Sequence, residues 1–382
     1  MRQPNKGVIL TALGTGLGLG AVALAGGADG LFSRFRLDAP VVTNGSFLSP
    51  QVELFGDVTV GRGSFVAGNT TLSADPGTRV CLGNETNLQD NILFLADGGR
   101  PFPAGAGGCD ARATTAKNQV SVAHQATVEN STLGNFTFVG FHSRVVNSVL
   151  EDGVFVLHGA LVQNVRVPQG RLVLTGAVVT TQAQANALPR KAEAQAEFQR
   201  DVLEVNAEFA EGYAEQYAAQ GYAGVTGVSA APRTSWNPSP VRPTLGANVR
   251  TEEFARIVGD VRLGEGSVVG RRTSIRADEG APIVIGRGAE IGDQVTFHAL
   301  KGTGIRIGDN LDSDDNIVFH GPLEMGNNVT VGDDAVVFRS KVGNDVTIGT
   351  GALVIDVTLP DGTVVPEGAK ILSQADADAL RR

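Results

Sequence analysis

The chain has 382 residues, which is enough for two or three domains of about 150 residues each. Its 50 glycines, 3 tyrosines and single tryptophan are typical of an all-β or repetitive fold in which tight turns recur. The 31 basic and 40 acidic side chains give a net charge of -9, and no block of lysine or arginine occurs, so a nucleic-acid partner is not expected.

Residues 1–30 predict either an export signal or a membrane anchor. Arg2 and Lys6 precede an uncharged run from Gly7 to Ala28. Its small residues suit cleavage by a signal peptidase, whereas about 20 apolar residues also just span a bilayer. Both interpretations stay open. Both predict a bacterial protein exported to the periplasm or cell envelope, and the second adds attachment to the membrane.

Cys81 and Cys109 are the two cysteines, and a loop-like segment separates them. In an exported protein we expect such a pair to form a disulfide. A metal site would need more than two thiolates, or a pair of histidines nearby.

A six-residue repeat begins at residue 258. Each unit has an aliphatic residue followed by glycine, and then four mostly polar positions. A period of six does not fit an amphipathic helix, but it suits short strands that stack one aliphatic side chain inward at each step, with glycine at the bend. Because such coils are stable only when stacked, the repeat predicts a parallel β-helix. The aliphatic-glycine pairs are Val258-Gly259, Leu263-Gly264, Val269-Gly270, Ile285-Gly286, Ile291-Gly292, Met325-Gly326, Val331-Gly332, Val342-Gly343 and Ile348-Gly349.

The first half carries a less regular form of the same repeat, with pairs such as Phe55-Gly56 and Val60-Gly61. The chain is therefore predicted to be a tandem duplication. We place the two β-helix domains at residues 40–185 and 248–382.

Residues 186–222, between the two repeats, predict an α-helix from about Arg190 to Gln220, because alanine, glutamate and glutamine predominate there. Apolar residues recur at three- and four-residue steps, so this helix is expected to bury one stripe against a solenoid. Residues 223–247 are rich in proline and serine and predict a linker. The apolar stripe consists of Phe198, Val202, Val205 and Phe209.

The segment SIRADEGAPIVIGRGAEIGDQVTFHAL, residues 274–300, resembles the active-site segment of γ-class carbonic anhydrases and of the related domain that organises carboxysome shells. The resemblance extends over about residues 254–380, and over residues 42–200 in the first half. It implies two left-handed β-helices of hexapeptide repeats, each with a flanking helix, and the trimer-like packing of a homo-oligomer. The matching residues are Arg276, Asp278, Glu279, Asp293, His298 and His320 in the second half, and Asn87, Gln89, Asp90 and His124 in the first.

Members of this family hold zinc with three histidines, of which the middle one comes from a neighbouring subunit. The three corresponding positions read His298, Asp315 and His320 in the second half, and Leu95, His124 and Glu129 in the first. Neither half keeps three histidines, but those that are kept are complementary. The resemblance therefore implies a composite zinc site of His298, His320 and His124, provided that the halves pack as neighbouring subunits do.

The same resemblance implies zinc-dependent, reversible hydration of carbon dioxide to bicarbonate. Gln89 and Asn87 are expected to orient the hydroxide or the substrate. Arg276 and Asp278 are expected to brace the contact between the halves, together with Asp90 or Asp293.

Two alternatives stay open. In a ring of second-half domains, Asp315 of a neighbouring domain would be the third ligand instead of His124, because carboxylates also bind zinc. Alternatively, both halves have lost catalysis, and the protein is a structural or assembly protein of the cell envelope.

A closed three-fold ring cannot alternate two kinds of domain, so the composite site requires unequal interfaces. A hexapeptide acyltransferase shares the six-residue period but does not account for the RADEG segment.

Overall fold

The computed structural model describes residues 41–43, 45–105 and 107–380. The predicted export signal or anchor at residues 1–30 lies outside them. None of the helices in this part of the chain combines the length and the hydropathy that crossing a bilayer requires.

The first half is a parallel β-helix, called here the first solenoid, in which the chain passes through three sheets in turn and each strand pairs in parallel with the strand one coil later. Sheet 1 contains Val41–Val42, Val58–Val60, Arg79–Leu82, Ala113–Ala116, Thr132–Leu133, Val149–Leu150 and Arg166–Val167. Sheet 2 contains Phe47–Leu48, Phe65–Val66, Asn87–Leu88, Ser121–Val122, Phe138–Val139, Phe155–Val156 and Leu172–Val173. Sheet 3 contains Glu53–Phe55, Thr71–Ala74, Leu93–Ala96, Thr127–Glu129, Arg144–Val146, Leu161–Gln163 and Val178–Val179.

The second half repeats this architecture as the second solenoid, so the predicted fold class of two parallel β-helices is confirmed. Sheet 4 contains Val228–Ser229, Arg256–Gly259, Ser274–Ala277, Thr296–Ala299, Val318–Gly321, Val336–Phe338, Leu353–Ile355 and Lys370–Ile371. Sheet 5 contains Thr244–Leu245, Val261–Leu263, Ile283–Ile285, Ile305–Ile307, Leu323–Met325, Lys341–Val342 and Thr358–Leu359. Sheet 6 contains Arg250–Thr251, Val268–Val269, Glu290–Ile291, Asp312–Ser313, Thr330–Val331, Thr347–Ile348 and Val364–Val365.

Most glycines of the aliphatic-glycine pairs have a physical reason that differs from the expected bend, since only Gly56 and Gly259 among those named have a positive φ, of 74° and 81°. A Cβ atom at Gly264 would lie 2.4 Å from the carbonyl group of Gly286, one coil further on. Glycine is therefore required because successive coils touch through their backbones. The left-handed backbone of the corners is instead adopted by residues such as Gln294 and Asn316, with φ of 57° and 60°.

Four helices complete the described chain: α1 (Gln182–Ala187), α2 (Glu193–Gln220), α3 (Tyr222–Val225) and α4 (Gln374–Ala379). The long helix α2 begins three residues later than the sequence indicates. Its buried Phe209 and Tyr213 pack against Phe47 and Phe65 of the first solenoid and against Val258 of the second. It therefore contacts both halves.

The predicted linker, residues 223–247, contains two of the strands assigned above to the second solenoid, Val228–Ser229 and Thr244–Leu245. The outer limits of the two domains stay predictions. Cys81 and Cys109 form a disulfide, which ties the loop after sheet 3 to a strand of sheet 1.

The two solenoids pack side by side through a row of side-chain amides. Asn69, Asn91 and Gln125 occupy corners of the first solenoid in the left-handed conformation, with φ between 59° and 61°. These amides donate across the interface, at the corner that leads from sheet 6 into sheet 4. The donor and acceptor pairs are Gln51 with Phe254 O (3.0 Å), Asn69 with Arg272 O (2.9 Å), Asn91 with Thr296 Oγ1 (3.2 Å) and Gln125 with Ile317 O (3.2 Å).

An apolar cluster continues the same interface, where Phe138 and Phe155 of the first solenoid meet Val336 and Leu353 of the second. Residues facing outward from sheets 2 and 4 are therefore buried between the halves. The candidate site lies between the amide row and this cluster.

Candidate metal centre

Three histidines from the two halves converge at the interface. His124 follows the strand Ser121–Val122, at a corner of the first solenoid. His298 and His320 lie opposite each other on adjacent strands of sheet 4. One ring nitrogen of each histidine lies within 4.8 Å of the others, and all three side chains are buried. The structure thus brings together the three histidines of the composite site.

The spacing of two of the nitrogens suits a tetrahedral metal. His124 Nε2 lies 3.3 Å from His298 Nδ1. Zinc–nitrogen bonds of about 2.0–2.1 Å at a tetrahedral angle put two ligand nitrogens about 3.3 Å apart. The ring centroids are 5.1 Å (His124 to His298), 5.4 Å (His298 to His320) and 5.7 Å (His124 to His320) apart.

Hydrogen bonds on the outer side of the rings define the ring tautomers. His320 Nδ1 lies 3.1 Å from the carbonyl oxygen of Gly321, which can only accept, so Nδ1 donates and Nε2 is left as the ligand atom. His298 Nε2 lies 3.1 Å from Asp278 Oδ1 and 3.3 Å from Glu279 Oε1, so Nε2 donates outward and Nδ1 is the nitrogen that faces the centre. Outer partners of this kind orient metal ligands.

His124 has its outer partner in the first solenoid. Its Nδ1 accepts the main-chain N–H of Asp90 at 3.3 Å, while its Nε2 donates toward His298. Asp90 Oδ2 lies 3.4 Å from the same Nδ1. This carboxylate is therefore placed to accept a hydrogen bond from Nδ1 when Nδ1 carries the proton and Nε2 is the ligand atom.

Two of the three imidazoles, those of His124 and His320, are neutral at physiological pH. Burial lowers the pKa of His124 to about 4, although the carboxylate of Asp90 opposes this change. Burial, followed by the neighbouring His298 and His124, holds the pKa of His320 well below its ordinary value. Neutral imidazole is the form that binds metals, so protons do not compete at these two side chains near pH 7.

A buried guanidinium joins the two halves beside the histidines. Arg276 Nε donates to Asp90 Oδ2 of the first solenoid at 3.0 Å, and its Nη1 donates to Asp278 Oδ2 at 2.7 Å. Burial alone would raise the pKa of both carboxyl groups, but Arg276 and the histidines keep it well below the usual range. Both groups are thus ionised carboxylates. The sequence left Asp90 and Asp293 as alternative partners of Arg276 at the contact between the halves, and in the structure Asp90 is that partner.

Asp293 and Asp315 lie away from the histidines. The carboxylate of Asp293 faces solvent beside Arg271, 3.6 Å from Nε. Asp315 is exposed, and its carboxylate accepts the main-chain N–H of Asp293, one coil earlier, at 2.7 Å. The next coil repeats this contact, since Asp333 accepts the main-chain N–H of Asp315. Asp315 of this chain is therefore not part of the three-histidine cluster. A site that uses Asp315 of a neighbouring chain stays a prediction.

Asn87 and Gln89 are buried on and after a strand of sheet 2. Asn87 Nδ2 donates to Ser121 Oγ at 2.7 Å. The amide oxygens of both residues have no hydrogen-bond partner among the described residues. A buried acceptor of this kind can take a hydrogen bond from a water or a substrate, and the amide oxygens of Asn91 and Gln125 at the interface share this property.

Three side chains that the sequence did not assign a role also border the site. Tyr213 of α2 donates to the carboxylate of Asp278, and Trp236 of the predicted linker donates its indole N–H to the main-chain oxygen of the same residue at 2.9 Å. Glu279, although part of the family pattern, had no assigned task. Burial raises its pKa to about 7, against the effect of His298. A single signal pointed to Tyr213, because it extends the apolar stripe of α2 by one turn beyond Phe209.

Comparisons with known proteins show which proteins the chain is similar to in sequence. No protein-family model matches the chain. The chain is 34% identical over 168 residues to the carbonic anhydrase of Methanosarcina thermophila, covering 39% of this chain and 68% of that protein. It is 35% identical over 162 residues to the carboxysome assembly protein CcmM of Nostoc, covering 40% of this chain and 29% of that one. It is 32% identical over 106 residues to the mitochondrial gamma carbonic anhydrase 1 of Arabidopsis thaliana, covering 27% of this chain and 34% of that one. The chain thus spans 68% of the first relative but about a third or less of the other two.

Proposed function

Because the chain belongs to the γ-class carbonic anhydrase-like family of hexapeptide-repeat proteins, we propose that it binds zinc between its two halves and hydrates carbon dioxide to bicarbonate there. One observation carries this proposal. Three buried histidines, His124 from the first solenoid and His298 and His320 from the second, place their ring nitrogens within 4.8 Å of one another.

The residues fit a zinc ion in several respects. Three imidazoles leave a fourth position open, which is the pattern of catalytic rather than structural zinc. The pKa values of His124 and His320 are lowered, so both are neutral near pH 7. His298 and His320 each donate from the nitrogen that faces away from the centre.

Zinc in such a site supplies a Lewis acid that lowers the pKa of a bound water to about 7. The side chains of this protein orient the ligands, hold the two halves together and orient the substrate. Asp278 and the carbonyl group of Gly321 hold the rings of His298 and His320. Arg276 keeps the halves together through Asp90. Asn87 and Gln89 offer buried amide oxygens that can orient a water or the bicarbonate.

Carbon dioxide hydration by the zinc-loaded chain tests the proposal. We expect activity that chelation removes, that added zinc restores, and that His124→Gln and His298→Gln each reduce by orders of magnitude. Asp315→Ala is the matched control, since Asp315 is exposed and outside the cluster. A fully metal-loaded chain without activity would contradict catalysis and favour the structural role.

The structural alternative has one observation of its own in its favour. The relative from Nostoc, of which this chain covers 29%, is named an assembly protein. In that role, a zinc ion held by both solenoids would clamp the halves without turnover, and the trimer-like oligomer expected from the family would be the functional unit.

We further propose that the protein works outside the cytoplasm. The disulfide between Cys81 and Cys109 supports this location, because disulfides persist in oxidising compartments. Whether residues 1–30 are a cleaved signal or a retained anchor is decided by the mass of the mature protein.

A further inference from the structure

Helix α2 places a phenol behind one of the proposed zinc ligands. Tyr213 is fully buried, and its O–H donates to Asp278 Oδ2. The other oxygen of this carboxylate, Oδ1, lies 3.1 Å from His298 Nε2. A hydrogen-bonded chain therefore runs from the segment between the solenoids to the metal site.

Aromatic packing fixes the position of the phenol. The ring of Tyr213 stacks on Phe47 and Phe65 of the first solenoid, with centroid distances of 5.3 Å and 5.8 Å. Because these rings are themselves buried between α2 and sheet 2, close packing holds the ring of Tyr213 in this position. Its hydroxyl group thus reaches Asp278 from a rigid support.

Arg256 acts on the same ring. Its guanidinium lies 4.8 Å from the centroid of Tyr213 and 3.9 Å from Asp90 Oδ1. The side chain is fully buried, and its three nitrogens have no hydrogen-bond partner among the described residues. A cation against an aromatic face withdraws electron density from the ring, which makes the phenol O–H a stronger donor to Asp278.

Asp278 depends on two donors for its orientation. Oδ2 accepts from Tyr213 and from Arg276 Nη1, the latter at 2.7 Å. Without the phenol, one donor remains on that oxygen, and the carboxylate can turn about its side-chain bond. The ring of His298 then loses the support that points its Nδ1 toward the centre.

We propose that Tyr213 is a positioning residue of the metal site, which orients His298 by holding Asp278. This inference rests on the proposed zinc site and adds to it a part that belongs to neither solenoid. Loss of an outer partner of a metal ligand weakens metal binding by about 10- to 100-fold. Since Arg276 remains in place, we expect Tyr213→Phe to fall near the lower end, at about tenfold.

A cobalt titration of the metal-free full chain tests this, with visible absorption as the readout. Tyr213→Phe should bind cobalt about tenfold more weakly and with an altered spectrum. Tyr217→Phe, one turn further along α2, should match the wild type. Equal affinity and an unchanged spectrum in Tyr213→Phe would overturn the inference. Wild-type protein that binds no cobalt, or binds it without His124, would instead contradict the proposed site itself.

A second measurement does not depend on the folding of a variant. The chain has three tyrosines, so labelling with fluorotyrosine gives three fluorine resonances. We expect the Tyr213 signal to move when zinc is added and the signal of the exposed Tyr222 to stay. A Tyr213 signal that does not respond to bound zinc would count against the inference.

Discussion

Replacing Arg276 by methionine removes the charge that holds two buried carboxylates in place. The guanidinium is 1% exposed and bonds Asp90 at 3.0 Å and Asp278 at 2.7 Å, one in each half of the chain. Breaking a buried ion pair by removing one partner costs about 3–5 kcal/mol, because the remaining charge has lost its solvation and its partner. Since two carboxylates are left behind, Arg276→Met should lower the free energy of unfolding by at least about 3–5 kcal/mol.

Unfolding in guanidinium chloride, followed by tryptophan fluorescence, measures this change. Trp236 is the single tryptophan and donates to Asp278 O at 2.9 Å, so its emission reports on this contact. Adding Asp90→Asn to Arg276→Met should recover part of the loss, because one unpaired charge is removed. Arg287→Met is the control, since Arg287 makes an equally short bond of 2.7 Å to Asp309 at the surface. If the buried and the surface variants unfold at the same denaturant concentration, the brace does not hold the halves together.

Two further perturbations have predicted outcomes. Burial lowers the pKa of His142 to about 4 and that of His158 to about 3. On acidification, the unfolded chain therefore takes up protons at these two side chains before the folded chain does. The free energy of unfolding should therefore decrease as the pH drops from about 6.5 toward 4. Denaturant unfolding at a series of pH values measures this, and an unchanged free energy over this range would show that the two side chains are solvated. The Cys81–Cys109 disulfide closes a separation of 28 residues, and replacing both cysteines by alanine should destabilise the first solenoid by about 3–4 kcal/mol. Thermal unfolding that matches the wild type would contradict this estimate.

The solenoid fold could be predicted because its signal is local and repeated. An apolar residue must point inward once per strand, as Ile275 and Phe297 do in successive coils of sheet 4. The following glycine recurs because coils touch there, as at Gly264. Any coil in the second half carries this information, so the pattern is visible without knowledge of the packing between halves.

The site was predictable only through family resemblance. His124 and His298 are 174 residues apart, and no periodicity relates them. Trp236 and Tyr213 could not be assigned to the site, because their partner Asp278 lies 42 and 65 residues away. Tyr213 lies in the predicted helix and Trp236 in the predicted linker, and the composition of these segments does not indicate which groups the two side chains contact.

Zinc content of the purified full chain tests the composite site most directly. We expect about one zinc per chain in the wild type and in Asp315→Ala, and loss of the zinc in both His124→Ala and His298→Ala. We expect one ion rather than two, because the carboxylates at the other ligand positions have different partners. Glu129 accepts from Arg100 at 2.7 Å, and Asp315 accepts the main-chain N–H of Asp293. Zinc that survives His124→Ala but is lost in Asp315→Ala would contradict the composite site, and a wild-type chain that binds no zinc would contradict a metal centre altogether.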